Sequence, residues 1–176
     1  MSTRSRSGAI DVAQLDDSWL NDRSEFQQNW VHGLRNKSGL QLQYHLERDL
    51  AANRHCVAAL WTPGDDHVGF PGFVHGGLLS AILDDVMGRA TALLKRWVVT
   101  GRLEVRYRSG AKVGVPLRVE GWMTALDRRV VGCQGRLSSD DQVVAEATGT
   151  YLPITAELQR EMLSAWPGFA EYLNRA

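Results

Sequence analysis

The 176-residue chain predicts an α+β fold in which a curved antiparallel sheet packs around one long buried helix. Two observations carry that expectation. Residues 75 to 95 hold Leu78, Leu79, Ile82, Leu83, Val86, Met87, Ala90, Leu93 and Leu94, which cover more than one helical face, so other structure must wrap them. The segments that follow alternate apolar and polar residues with period two and are joined by short polar turns, the pattern of an antiparallel meander.

Each element follows in order. From 11 to 36, Val12, Leu15, Trp19, Leu20, Phe26, Trp30 and Leu34 recur every three to four residues and predict one or two short helices. Leu40 to Leu46 sets Leu40, Leu42, Tyr44 and Leu46 against Gln41, Gln43 and His45, as in a half-buried strand. Cys56 to Trp61 reads as a second strand, ended by the turn Pro63-Gly64-Asp65-Asp66. The long helix spans about His75 to Lys95. Strands follow at Val98 to Arg108, Leu117 to Leu126, Val130 to Leu137 and Val143 to Leu152, with turns at Asp127-Arg128-Arg129 and Ser138-Ser139-Asp140-Asp141. Ala156 to Tyr172 forms a terminal amphipathic helix interrupted near Pro167. The division is a tail and helical extension over 1–39, one domain over 40–153 and a helical extension over 154–176.

Composition excludes several classes. Lys plus Arg equals Asp plus Glu at 20 each, so no broad basic footprint for nucleic acid exists. No run of about 20 apolar residues is present to span a bilayer. The basic N-terminus lacks the apolar stretch of a secretory signal, and Cys56 and Cys133 lie far apart, as free thiols of a cytoplasmic protein would. The histidines at 32, 45, 55, 67 and 75 make no His-x-x-x-His pair, so no metal is expected. Neither a Gly-x-Ser-x-Gly elbow nor a phosphate-binding Gly-Lys-Ser/Thr loop occurs.

The segment Gly69-Phe70-Pro71-Gly72-Phe73-Val74-His75-Gly76-Gly77 joins a glycine-rich turn to the long helix. Turn glycines let a ligand approach the backbone, and the first helical turn presents N–H groups without intrahelical partners, a site for developing negative charge. At roughly 100° per residue, Gly77, Ser80, Ala81, Asp84 and Gly88 share one face, small except for the carboxylate. Asp84 is expected in a narrow, partly dry space where it can act as general base or nucleophile. Asp85, about a quarter-turn away, is expected in solvent. Ser80 reads as a small packing residue on the Asp84 face.

With these residues in view, the chain resembles the hotdog-fold acyl-CoA thioesterases, in the 4-hydroxybenzoyl-CoA thioesterase-like superfamily, near the phenylacetate-pathway thioesterase and the mammalian thioesterase superfamily members. The matching elements are Pro71 through Gly77, Asp84 nine positions after His75, Thr100 at the start of the next strand, and Ala145-Glu146-Ala147-Thr148-Gly149. The resemblance covers about residues 40 to 153. It implies a homodimer with sheets joined edge to edge, which could pair into a dimer of dimers, and active sites between protomers. It further implies that Asp84 is the catalytic carboxylate, that the Gly76 N–H holds the thioester oxygen, and that His75 orients the thioester. Thr100 of the partner protomer would position water or the carboxylate. Gly69 stands where some relatives carry Asn, and Ser109-Gly110 follows Tyr107-Arg108 where many carry Pro.

The substrate would be an acyl-CoA, with coenzyme A entering only as part of it and no separate cofactor. Gly77, Phe73, Val74 and Ser80 would line its site, together with Phe70, Leu78 and Leu79, and Arg108 is among the arginines that could meet the CoA phosphates. Thr100 lies on the polar side of its strand by period two, which fits either a crevice wall or plain exposure. A non-catalytic acyl-CoA-binding or regulatory module is the alternative reading, and a hydratase ranks last because His75 and Asp84 stand in the wrong relation for one.

Overall fold

The computed structural model describes residue 20 and residues 25–94, 97–127 and 129–165. Its elements are β1 (His45–Asp49), β2 (Arg54–Trp61), β3 (Val68–Phe70), β4 (Phe73–Val74), α1 (Gly76–Thr91), β5 (Val98–Tyr107), β6 (Leu117–Leu126), β7 (Val131–Ser139), β8 (Gln142–Pro153) and α2 (Ala156–Ala165). Six strands form one antiparallel sheet in the order β1-β2-β6-β7-β8-β5, and β3 and β4 form a small two-stranded sheet before α1. This is the α+β hotdog arrangement: the sheet wraps α1, a helix of about 24 Å.

Burial fixes the packing. Ile82, Leu83, Val86 and Met87 are fully buried against Val57, Leu117, Val119, Val131 and Leu137 of the sheet. Apolar burial of this kind is the main stabilising term, at about 1.5–3 kcal/mol for each large side chain. Gly121 on β6 sets how near the helix comes. A Cβ there would lie 2.7 Å from the Val86 carbonyl oxygen, so a side chain would push α1 off the sheet.

Several expectations need correction. The β-ladder does not begin at Leu40. Leu40, Leu42 and Tyr44 alternate inward as their pattern requires, but the Leu40 and Leu42 N–H groups donate to the carbonyls of Trp30 and Val31, and Gln41 takes a left-handed φ of 53°. The backbone is thereby committed to the preceding loop, and pairing with β2 starts at His45. Within 25–36 the chain makes a 3₁₀ turn at Glu25–Gln28 and further turns rather than an α-helix, the Gln27 side chain accepting from the Leu34 N–H at 2.7 Å. The rest of the expected N-terminal helices, Lys95 and the Pro167 break lie outside the described residues. The α-helix stops at Thr91 and a 3₁₀ turn covers Ala92–Leu94.

The meander holds for β6, β7 and β8 alone. Asp140 and Asp141, with φ of 46° and 66°, build the tight hairpin turn between β7 and β8. β5 instead pairs with β8 at the far edge. Residues 108–116 carry the chain back to β6 along the glycine turn: the Val74 N–H donates to Ala111 O, the Val113 N–H to Gly72 O and the Gly114 N–H to Pro63 O. That nine-residue link is long enough to cross the sheet, which the short hairpin turns are not.

Candidate active site

Asp84 stands midway along α1, half-buried, on the face predicted to be small. Two hydroxyls donate to the same carboxylate oxygen: Thr100 Oγ1 lies 2.9 Å from Oδ1 and the Tyr151 phenol 3.0 Å from it. The phenol also lies 2.9 Å from the Asp84 main-chain oxygen. No hydrogen bond reaches Oδ2 among the described residues. The carboxylate is therefore anchored at one oxygen and open at the other.

Sheet register explains how both hydroxyls arrive. Thr100 of β5 is the direct cross-strand partner of Tyr151 of β8, and directly opposed residues point to one face. Period two had placed Thr100 with Arg102 and Glu104 on the opposite side. A bulge between Thr100 and Arg102 leaves Gly101 without a partner and re-aims Thr100 toward α1. The sequence signal for this was the lone glycine inside the strand. Thr100 meets Asp84 of its own chain, which replaces the expectation that the partner protomer supplies it. Tyr151 falls within the strand expected over Val143 to Leu152 and is singled out by no sequence signal. Burial, then the charge of Asp84 and its hydrogen bond, hold its phenol well above the ordinary tyrosine range, so it stays a neutral donor.

The start of α1 is built by the glycine turn. His75 is the N-cap: its Nδ1 accepts from the Gly77 N–H at 2.9 Å, which puts the ring proton on Nε2. His75 itself is exposed, and its main-chain N–H donates to His67 O at 2.9 Å. Gly69 must be small because a Cβ there would stand 2.6 Å from His75 Cα. The Gly76 N–H, first of the helix, has no intrahelical partner. Tyr107 fixes this turn by donating to Gly76 O at 2.9 Å, and it also bonds Ser80, whose hydroxyl reaches Gly76 O at 3.2 Å.

Asp85 is not solvated. Its side chain is 14 % exposed and accepts from His32 Nδ1 at 2.9 Å and from the Tyr44 phenol at 2.8 Å. Arg89, one turn on, contacts His32 Nε2. Arginine can only donate, so Nε2 accepts and Nδ1 carries the proton that goes to Asp85. Both partners come from the segment before β1, which covers α1 at Asp85. Burial, then the Asp85 charge, raises the Tyr44 phenol as well.

The remaining expected residues are dispersed. Phe73 is half-exposed beside Gly110, whereas Val74 is 7 % exposed and turns into the core. Arg108 forks onto Glu146 at 2.7 and 2.9 Å on the outer face of the sheet, where it lines a cleft of about 420 Å³ with Arg54, Arg106 and Arg136. It is not brought to Asp84 or Gly76. Trp61 and Trp122 are buried, with Arg54 stacked 3.7 Å over the Trp122 ring. Cys56 and Cys133 are free and buried, and desolvation pushes the Cys133 thiol up to about 12. Among the described residues no metal-ligating cluster forms, and no helix is long and apolar enough to cross a membrane.

A helix that opens on two glycines behind a histidine cap, wrapped by a curved sheet and carrying an anchored acid at its middle, defines a class. Residues 71–146 match the model of the thioesterase superfamily. The chain is 26 % identical over 135 residues to the acyl-coenzyme A thioesterase THEM4 of Xenopus laevis, covering 70 % of this chain and 61 % of that one. It is 33 % identical over 103 residues to the esterase candidate PA0474 of Pseudomonas aeruginosa, covering 57 % and 76 %. Among solved structures, a thioesterase-superfamily protein superposes with a TM-score of 0.63 at 27 % identity, over 70 % of this chain and 62 % of that one. A hypothetical thioesterase protein of Streptococcus pneumoniae shares the fold with a TM-score of 0.55 at 21 % identity, over 62 % and 87 %. The chain belongs to the thioesterase superfamily.

Proposed function

We propose that this protein is an acyl-CoA thioesterase, hydrolysing an acyl-CoA to free acid and coenzyme A, with Asp84 as its catalytic carboxylate. The observation that carries the reading is the pair of hydroxyl donors on Asp84 Oδ1, which holds a half-buried carboxylate with its other oxygen open. Support comes also from relatives. The Xenopus protein is named for acyl-CoA thioester hydrolysis. The Streptococcus protein was solved with coenzyme A, and as Asp→Ala and Thr→Ala variants whose positions are 16 apart, the separation of Asp84 and Thr100.

The geometry favours a site made by two copies. Asp84 lies eight residues along α1 from Gly76, about 12 Å, too far for one thioester carbonyl to meet both the carboxylate and the Gly76 N–H of one chain. A second copy supplies the missing half. Among the described residues strand β5 pairs with β8 on one side only and presents an unpaired, largely exposed edge, where edge-to-edge joining would set Gly76 of one copy against Asp84 of the other. In that homodimer the Gly76 N–H stabilises the oxyanion as it forms, and Oδ2 of Asp84 either attacks the carbonyl carbon or takes a proton from the attacking water. Coenzyme A leaves as the thiolate; where Oδ2 attacks, water then hydrolyses the acyl–Asp84 anhydride to free acid and restores the carboxylate, and His75, with its ring proton on Nε2, orients the thioester.

Release of free CoA from short, medium, long and aromatic acyl-CoAs, with wild type and Asp84→Asn side by side, tests the reading. Turnover lost in the variant supports it. Binding without turnover in either protein, seen as ligand-dependent thermal stabilisation, would replace it with the acyl-CoA-binding module.

A further inference from the structure

We propose that Tyr151 is a positioning residue for the reaction: with Thr100 it immobilises Oδ1 of Asp84 and so makes Oδ2 the reacting oxygen. This rests on the thioesterase reading above. A free carboxylate rotates about its Cβ–Cγ bond and spreads its reactivity over two equivalent oxygens. Here Oδ1 receives two hydroxyl hydrogen bonds, at 2.9 and 3.0 Å, and the Tyr151 phenol is shared with the main-chain oxygen of the same residue at 2.9 Å. The phenol thus ties the acid's side chain to its own helical backbone. Rotation that exchanged Oδ1 and Oδ2 would break both hydroxyl contacts at once.

Room for this anchor has been made beside the ring. A Cβ at Gly149, two residues earlier on β8, would stand 2.7 Å from the Tyr151 ring. Gly149 closes the segment Ala145-Glu146-Ala147-Thr148-Gly149 that the sequence singled out and that no other part of the site uses. Its side-chain-free face admits the ring. Tyr151 is 1 % exposed, so the phenol cannot touch substrate and acts only through Asp84.

The test is steady-state CoA release by Tyr151→Phe, Thr100→Val and the double variant, with wild type and Asp84→Asn as references. Loss of a hydrogen bond to a charged group predicts that Tyr151→Phe lowers kcat about 10- to 100-fold with KM within about twofold of wild type. Because both hydroxyls hold one oxygen, the double variant should lose less than the product of the single losses. Wild-type kcat in folded Tyr151→Phe, or a loss confined to KM, would overturn the inference while leaving the thioesterase reading intact if Asp84→Asn is inactive. Absence of turnover in wild type would overturn both. Should Tyr151→Phe fail to fold, 4-fluorophenylalanine placed at 151 retains the ring and fills the place of the hydroxyl without donating a hydrogen bond. A lowered kcat at constant KM is then expected, and an unchanged kcat would overturn the proposal.

Discussion

Asp84 and Asp85 are neighbours on one helix, with identical side chains, and both are half-buried and hydrogen-bonded to a tyrosine. They differ in how their oxygens are used. Both oxygens of Asp85 are taken: His32 bridges Oδ1 and Oδ2 at 3.0 and 2.9 Å, Tyr44 adds a bond to Oδ2, and Arg89 closes the circuit through His32. Asp84 receives both of its side-chain donors on one oxygen. On the proposed mechanism the difference teaches that Asp84 keeps an oxygen for reaction because it is only partly satisfied, whereas Asp85 is satisfied completely and holds structure. A rotation of about 100° between adjacent helical positions is enough to send one acid to the sheet edge and the other to the N-terminal segment.

Ways to break the comparison follow from these partners. The largest effect is expected for Asp84→Asn, which keeps the size of the side chain and an acceptor for Thr100 and Tyr151. CoA release should fall by at least about a thousandfold, within the range of lost general-base catalysis, with the thermal midpoint unmoved. Asp85→Ala should do the reverse. Removing one member of a buried charged network takes away the carboxylate to which His32 and Tyr44 donate, and a loss of about 3 kcal/mol in urea unfolding is expected.

What could be read in advance divides along the same line. The long helix, β2 and the strands from β5 to β8 were legible because their periodicity is local, and so was the small face that carries Asp84. Asp85 is not legible because its partners His32 and Tyr44 lie 53 and 41 residues away, and local periodicity does not announce a contact that distant in the chain. Thr100 was assigned the wrong face because one bulge residue inverts a period-two reading, although Gly101 marked the place. Tyr151 could not be found from its strand pattern, since an inward tyrosine reads as core until a buried acid is known to lie beneath it.

Smaller effects sharpen the contrast. Thr100→Val should lower kcat about tenfold without changing unfolding, since Thr100 is exposed and its hydroxyl donates only to Asp84. Alkali should act on both acids' phenols together. Tyr44 and Tyr151 have folded-state values raised above the ordinary tyrosine value, so the folded protein keeps two protons that the unfolded chain releases near pH 10. Their stabilising contribution is complete below about pH 10 and declines as pH rises beyond it. Urea midpoints should drop between pH 8 and pH 10.5, and absorbance of phenolate in the native protein should account for no more than two of the four tyrosines until unfolding.

The most direct test is CoA release per mole of folded protein for Asp84→Asn and Asp85→Asn, measured on one acyl-CoA after each variant's folded fraction is fixed by urea titration. The expected result is an inactive, fully stable Asp84 variant beside an Asp85 variant that is destabilised but turns over within about tenfold of wild type once folded. An Asp84 variant that retains turnover, or an Asp85 variant that is stable and inactive, would contradict the assignment of the two acids.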